Sequence, residues 1–337
     1  MTDMRQQTGS GRKLSFEEAV DISDEMRQRR RDRRKVIAMR VVAALLIILA
    51  IGIGGFPTFL QYQSAQKLQD TSNQSAQTVA GWPYPQADEM FAAAKAYNRR
   101  LAASGQPVLG EAQDPFSQVQ GGSQSSESGA AESNGASAKD KEYQSLLDSG
   151  SGVMGTIRIP KISVRLPIYH GTSQSALASG AGHLYGSSLP VGGRSTHAVI
   201  TGHRGLVEAM MFTRLDEMRV GDYFYIEVMG RTLGYMVDRI SVIEPNDTSQ
   251  LKIVPGEDRV TLMTCTPYGV NTHRLLVSAV RSAIPGVVPE ERNAARDARL
   301  IAVAVSAGVL VSGMLLAWLR RRPWHIRRHA AWWPKRG

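Results

Sequence analysis

Two runs of twenty residues, 41–60 and 300–319, bracket this 337-residue chain, and neither contains a charged side chain. At 1.5 Å per residue, about 20 apolar residues in a helix span the hydrocarbon core of a bilayer. Neither run shows the polar stripe that a surface helix of a soluble domain carries. Both are therefore read as transmembrane helices. Of the 40 basic and 30 acidic residues, 11 and 7 lie in residues 1–60 and 7 and none in residues 300–337, which leaves 22 and 23 in residues 61–299. The excess positive charge flanks the two spans, with Arg27, Arg29, Arg30, Arg31, Arg33, Arg34 and Lys35 before the first and Arg320, Arg321 and Arg322 after the second. The positive-inside rule then places both termini in the cytoplasm and the middle segment outside, at the cell membrane. The near-neutral middle removes the nucleic-acid reading that a basic chain invites. The first run follows roughly forty residues and exceeds the ~7–15-residue apolar core of a signal peptide, so an uncleaved anchor is expected.

The pattern divides the chain into a basic tail (1–40), a span (41–60), an extracytoplasmic segment (61–140), a catalytic-type β domain (141–285), a second span (300–319) and a basic tail (320–337). Within 61–140, residues 87–98 read as a helix with Asp88 and Glu89 in its first turn and Phe91, Lys95 and Asn98 along one side. Asp114-Pro115-Phe116 follows as a turn-forming sequence carrying one large aromatic. Residues 117–140 are nearly all Ser, Gly, Gln, Ala, Asn and Glu, a composition that reads as a flexible linker. Residues 142–148 suggest a short helix. From 154 to 281, short β-type runs alternate with Gly, Pro and Asp turns: 155–159, 166–169, 196–201, 223–228, 233–243, 259–264 and 274–280. Seven or eight strands in this length predict a mainly β fold, either a closed barrel or a sandwich.

One cysteine, Cys265, occurs in the whole chain. It can close no internal disulfide and is too isolated for a thiolate-rich metal site, which leaves a small buried residue or a reactive thiol. Cys265 ends a strand-like run and meets a Pro-Tyr-Gly turn. Arg274 lies nine residues on, and His203 sits at the end of another apolar run between Gly202 and Arg204-Gly205, where glycine lets the backbone turn. These partners favour the nucleophile. Of the other histidines, His325 and His329 fall in the terminal tail, His170 and His183 are expected to be surface residues, and His197 leads into a strand. His273 should face away from Arg274, because successive strand residues point to opposite faces.

Thr201-Gly202-His203, Thr261-Leu262-Met263-Thr264-Cys265 and Arg274, together with Ile157-Arg158-Ile159-Pro160-Lys161-Ile162, resemble the sortases, membrane-bound transpeptidases of Gram-positive bacteria. The resemblance covers roughly 141–281. Two spans, the run from Thr264 to Arg274, and Asp114-Pro115-Phe116, similar to a lid motif, bring the chain nearer to the class C, pilin-polymerising members. Phe116 stands where many of those carry Trp. The resemblance implies a closed eight-stranded barrel with short helices. It further implies Cys265 as thiolate nucleophile, His203 as general acid/base and Arg274 as oxyanion or substrate stabiliser, with Asp114, Pro115 and Phe116 as a lid over them. The implied substrate is a pilin with a C-terminal Leu-Pro-x-Thr-Gly-like signal, joined through a lysine isopeptide bond. The implied partners are pilin subunits and the lipid bilayer. The chemistry asks for no cofactor, and no metal ligands are assigned. Two other readings stand beside it: a housekeeping sortase or plain cysteine peptidase, with cell-wall peptide or water as acceptor, and a non-catalytic membrane-tethered β-barrel assembly module.

Overall fold

The short β-type runs between 153 and 281 fold into eight strands that close on themselves. The structure is a computed structural model and describes residues 23–107, 109, 135–150, 152–206 and 209–284, with 307, 308, 310, 311 and 313 beyond them. The strands are β1 (Val153–Ile159), β2 (Val164–His170), β3 (Ala181–His183), β4 (Thr196–Thr201), β5 (Tyr223–Val228), β6 (Arg231–Ile243), β7 (Asp258–Thr266) and β8 (His273–Arg281). They close in the order β1-β2-β3-β4-β7-β8-β6-β5, the barrel expected, and a sandwich is excluded. The β2–β3 and β4–β7 pairs are parallel and the rest antiparallel. Of the eight, β3 has no counterpart among the strands expected from sequence. Its three residues, one of them Gly182, are too short to show a period-two pattern.

The barrel strands divide their side chains between two apolar clusters. On β7 and β8, Val260, Leu262, Leu275, Val277 and Ala279 enter the main core, while Met263 and Leu276 join Leu184, Val199, Ile243 and Leu251 in a smaller one. That division is the strand alternation itself. It leaves Cys265 and Arg274 on the face of the small cluster, two residues beyond Met263 and before Leu276.

Two helices precede the barrel. The first, α1 (Ser23–Ala80), is 58 residues long and contains the apolar run 41–60. It is the one described helix long and apolar enough to cross a membrane. The first element expected from sequence after the span begins at 87, whereas this helix continues through 61–80. No glycine or proline interrupts 58–80, and Leu68, Ser72 and Val79 lie buried along one face. Gly81 ends the helix. The chain forms two compact units that divide between Phe56 and Pro57. The second helix, α2 (Gln86–Ala103), overlaps the expected 87–98 and buries Phe91, Ala94 and Asn98. Asn98 exchanges two hydrogen bonds with the Leu189 backbone, at 2.9 and 2.7 Å. Lys95, expected on the same side, lies over the Phe91 ring.

Two short helices, α3 (Ala136–Lys139) and α4 (Lys141–Ser145), lead into the barrel. The former falls at the end of the stretch read as linker, and its Ser137 is buried. The α4 helix carries Tyr143, which is fully buried against His170, His183 and Tyr185. Asp114, Pro115, Phe116, the rest of the linker and nearly all of the run 300–319 lie outside the described residues.

Candidate active site

Cys265 and Arg274 come from adjacent antiparallel strands and stand directly opposite each other in the β7–β8 register. Side chains of such a pair project from the same sheet face, with Cβ atoms about 4.5–5.5 Å apart. Both residues are buried, Cys265 at 4% exposure and Arg274 at 2%. The guanidinium is aimed by its own turn, because Nη1 donates to the carbonyls of Asn271 and His273, each at 2.9 Å. A fully charged side chain so held can act on a developing negative charge with little reorganisation. His273 is exposed and bonded to Thr272, on the face opposite Arg274 as alternation requires. Apolar cover comes from the short helix α5 (Gln174–Ser179), whose fully buried Leu177 packs against Cys265.

His203 reaches this site by the parallel β4–β7 pairing. Thr201, the last residue of β4, is level with Met263, so the chain leaves β4 for His203 beside the end of β7 that carries Cys265. Two bonds carry the register past the strand end: Gly202 N–H to the Met263 carbonyl at 3.1 Å and the Thr264 hydroxyl to the Gly202 carbonyl at 2.7 Å. The His203 carbonyl accepts from Phe212 N–H at 3.0 Å. Gly202 is there because nothing larger fits: a Cβ would lie 2.6 Å from the Phe212 ring. His203 is 8% exposed, and burial pushes its imidazole below the ordinary histidine range. At neutral pH the ring is therefore uncharged, the form that can accept a proton.

His170 and His183, expected at the surface, are both buried, a correction with a clear cause. They belong to the polar network around Tyr143, which fixes the start of the segment leading to α5. The Tyr143 hydroxyl bonds His183 Nδ1 at 2.9 Å, and His183 Nε2 donates to the Ser188 carbonyl at 2.8 Å. His170 places its two ring nitrogens 3.1 and 2.8 Å from the carbonyls of Gly152 and Leu146. His197 is also buried, between the Lys252 carbonyl at 2.9 Å and the Thr261 hydroxyl at 2.7 Å. Burial lowers both His183 and His197 to about 4.

Three residues at the site had no role from sequence: Leu177, Phe212 and Arg204. The first two are ordinary apolar residues in sequence. Arg204 adjoins His203, yet only the folded chain shows its contacts. Its Nη1 donates to Thr266 Oγ1 at 3.1 Å and to the Cys265 carbonyl at 3.4 Å, and its Nη2 pairs with Asp216 at 2.5 Å.

This arrangement can be set beside known proteins. The sortase domain family matches residues 157–282. Sortase A of Streptococcus agalactiae is 30% identical over 130 residues, which is 38% of this chain and 52% of that protein. Sortase A of Bacillus anthracis is 28% identical over 126 residues, 37% of this chain and 58% of that one. The chain thus spans about half the length of the curated relatives it matches. Among solved structures, Streptococcus agalactiae sortase C1 in complex with MTSET is 39% identical, covering 65% of this chain and 100% of that one at a TM-score of 0.54. Sortase C of Streptococcus pneumoniae is 38% identical, covering 66% and 100% at a TM-score of 0.53. This chain belongs to the sortase family, and its likeness is to the class C members represented by those structures.

Proposed function

We propose that this chain is a membrane-anchored cysteine transpeptidase that cleaves a Leu-Pro-x-Thr-Gly-like sorting signal and joins pilin subunits through lysine isopeptide bonds. The observation that carries the reading is the opposition of Cys265 and Arg274 across the β7–β8 ladder, with His203 two residues past the end of β4, the strand on the other side of β7. In this mechanism neutral His203 accepts the Cys265 proton as sulfur attacks the threonine carbonyl of the signal. Arg274 faces the oxygen on which charge develops. The carbon–nitrogen bond breaks, His203 returns the proton to the departing amine, and a thioester remains on Cys265. An incoming lysine amine gives a proton to His203 and attacks the thioester, and the released sulfur takes that proton back.

The pilin acceptor is supported by the likeness to sortase C structures, one of which is described as sortase C1 of a group B streptococcal pilus island, at 36% identity over 98% of its length. The matches to proteins named sortase A favour a second reading, in which the acceptor is cell-wall peptide. Intact-mass analysis of the full chain with a sorting-signal peptide and a choice of amines separates these. The proposal expects an acyl adduct on Cys265 that passes to a lysine side chain. A chain that forms no adduct is not a transpeptidase, and transfer only to cell-wall peptide or water moves the assignment to the second reading.

Anchoring rests on the apolar part of α1, with the run 300–319 as the second of two passes and both tails cytoplasmic. Asp114-Pro115-Phe116 is proposed as a lid, with Asp114 against Arg274 and Phe116 over Cys265 and His203. Support comes from the chain just before it. Gln106 donates to the Gly186 carbonyl and accepts from Ile253 N–H, both at 2.9 Å, and Leu109 packs on the cluster that holds Met263 and Leu276. Asp114 is five residues further on, a reach of at most about 17 Å.

A further inference from the structure

We infer that Arg204 is a positioning residue that clamps the histidine loop to the end of the cysteine strand, acting through an ion pair with Asp216. The inference deepens the transpeptidase reading and rests on it.

The asymmetry of the pair is the first sign. The Arg204 side chain is 7% exposed while that of Asp216 is 51% exposed. An ordinary surface pair keeps both groups in water and holds neither in one place. Here the guanidinium has been drawn under the surface, and burying a cation is unfavourable unless its hydrogen bonds are met. Nε stays buried without a partner among the described residues, and the two terminal nitrogens are met, one of them at the end of the cysteine strand: Nη1 donates to the Cys265 carbonyl and to the Thr266 hydroxyl. The remaining arm, Nη2, goes to Asp216 on the 3-10 turn Leu215–Glu217.

A second contact closes the clamp on the other side. The Tyr268 ring, in the turn after Cys265, lies 5.9 Å from the Arg204 guanidinium, within cation–π range. The same ring leaves no easy room at Gly205, where a Cβ would stand 3.1 Å from it and where φ is +86°. The loop after β4 and the turn after β7 are thus fastened together on both sides of His203, by Thr264 to Gly202 before it and by Arg204 to Cys265 and Thr266 after it. Rates of general acid/base and nucleophilic steps depend on such sub-ångström placement. Asp216 has no described bond to the site except through Arg204, which makes it the handle for testing the idea.

The experiment measures steady-state cleavage of a sorting-signal peptide by the full chain and by Arg204→Gln, Asp216→Asn and the double variant, with thermal melts alongside. Arg204→Gln is expected to lower kcat about 10–100-fold with KM little changed, the signature of misplacement rather than lost binding. Asp216→Asn is expected to lower kcat by about 3–10-fold and to have no further effect in the Arg204→Gln background, since coupled residues fail to add. Arg204→Lys, which keeps the charge without the planar fork, should restore little of the rate. Equal kcat in wild type and Arg204→Gln would overturn the inference alone. An Asp216→Asn loss that persists undiminished in the double variant would do the same, and this half-exposed position remains informative if Arg204→Gln does not fold. A wild-type chain that leaves the peptide intact overturns the transpeptidase reading and this inference with it.

Discussion

Cys265 and Arg274 face each other across one rung of the β7–β8 ladder, and the arginine is held there by the two backbone carbonyls of its own turn. The pairing fixes the arginine backbone opposite the cysteine, and the two carbonyl bonds hold its guanidinium. Arg274→Lys keeps a positive charge but loses the planar guanidinium whose Nη1 donates to the carbonyls of both Asn271 and His273. The expected loss is about 10²–10³ in kcat for peptide cleavage, the size found on removing an oxyanion donor. A lysine variant that retained most of the rate would show that charge alone suffices.

Gly202→Ala tests how tightly the histidine is placed. The new methyl would stand 2.6 Å from the fully buried Phe212 ring, and the Phe212 amide is bonded to the His203 carbonyl, so a shift there moves the histidine loop. Overpacking of this kind costs about 1–3 kcal/mol of stability. Cleavage should fall more than stability does, and Phe212→Leu in the same chain should recover part of both. The check is a melting curve and a kcat on each variant.

His183 and His197 give the domain a definite acid limit. Both fold as neutral rings at about 4, below the ordinary histidine value of 6.5. Between these values the unfolded chain binds protons that the folded chain refuses, so stability is present above about pH 6.5 and falls as pH drops toward 4. Each contributes a slope of up to about 1.4 kcal/mol per pH unit. Urea midpoints measured from pH 7 to pH 4 should fall steadily, and His197→Asn or His183→Asn should flatten the slope while lowering the midpoint at pH 7.

Asp114→Ala and Phe116→Ala address the proposed lid. The chain holds one cysteine, so alkylation by iodoacetamide reads Cys265 alone. Each substitution is expected to speed labelling several-fold by removing the cover or its tie to Arg274. Unchanged rates in both would remove these residues from the gate.

Much of the barrel was legible because most of its strands are long enough to stand out as runs. Residues 223–228 and 233–243 are long β-type runs bounded by turn residues, while Ala181-Gly182-His183 forms a strand only because β2 and β4 lie on either side of it. The continuation of α1 through 61–80 was hidden for the opposite reason. Its residues are polar and helix-tolerant, and they become helix where Leu68 and Val79 find a core. At the candidate site, Cys265, His203 and Arg274 announce themselves by residue type and spacing. Arg204 does not, since an arginine beside a histidine has many uses and its contacts come from residues some sixty positions away. The two buried histidines misread as surface residues make the same point. Polarity in the sequence says nothing of burial once a tyrosine such as Tyr143 supplies the partner.

The order of strands around the barrel carries a consequence for timing. β8 is the last strand in the chain, yet it sits between β7 and β6. During synthesis, Cys265 is complete before the strand that supplies Arg274 exists, and β6 and β7 keep open edges until β8 arrives to join them. The cysteine can gain its arginine only when the ring closes, so maturation of the thiol and completion of the fold are one event.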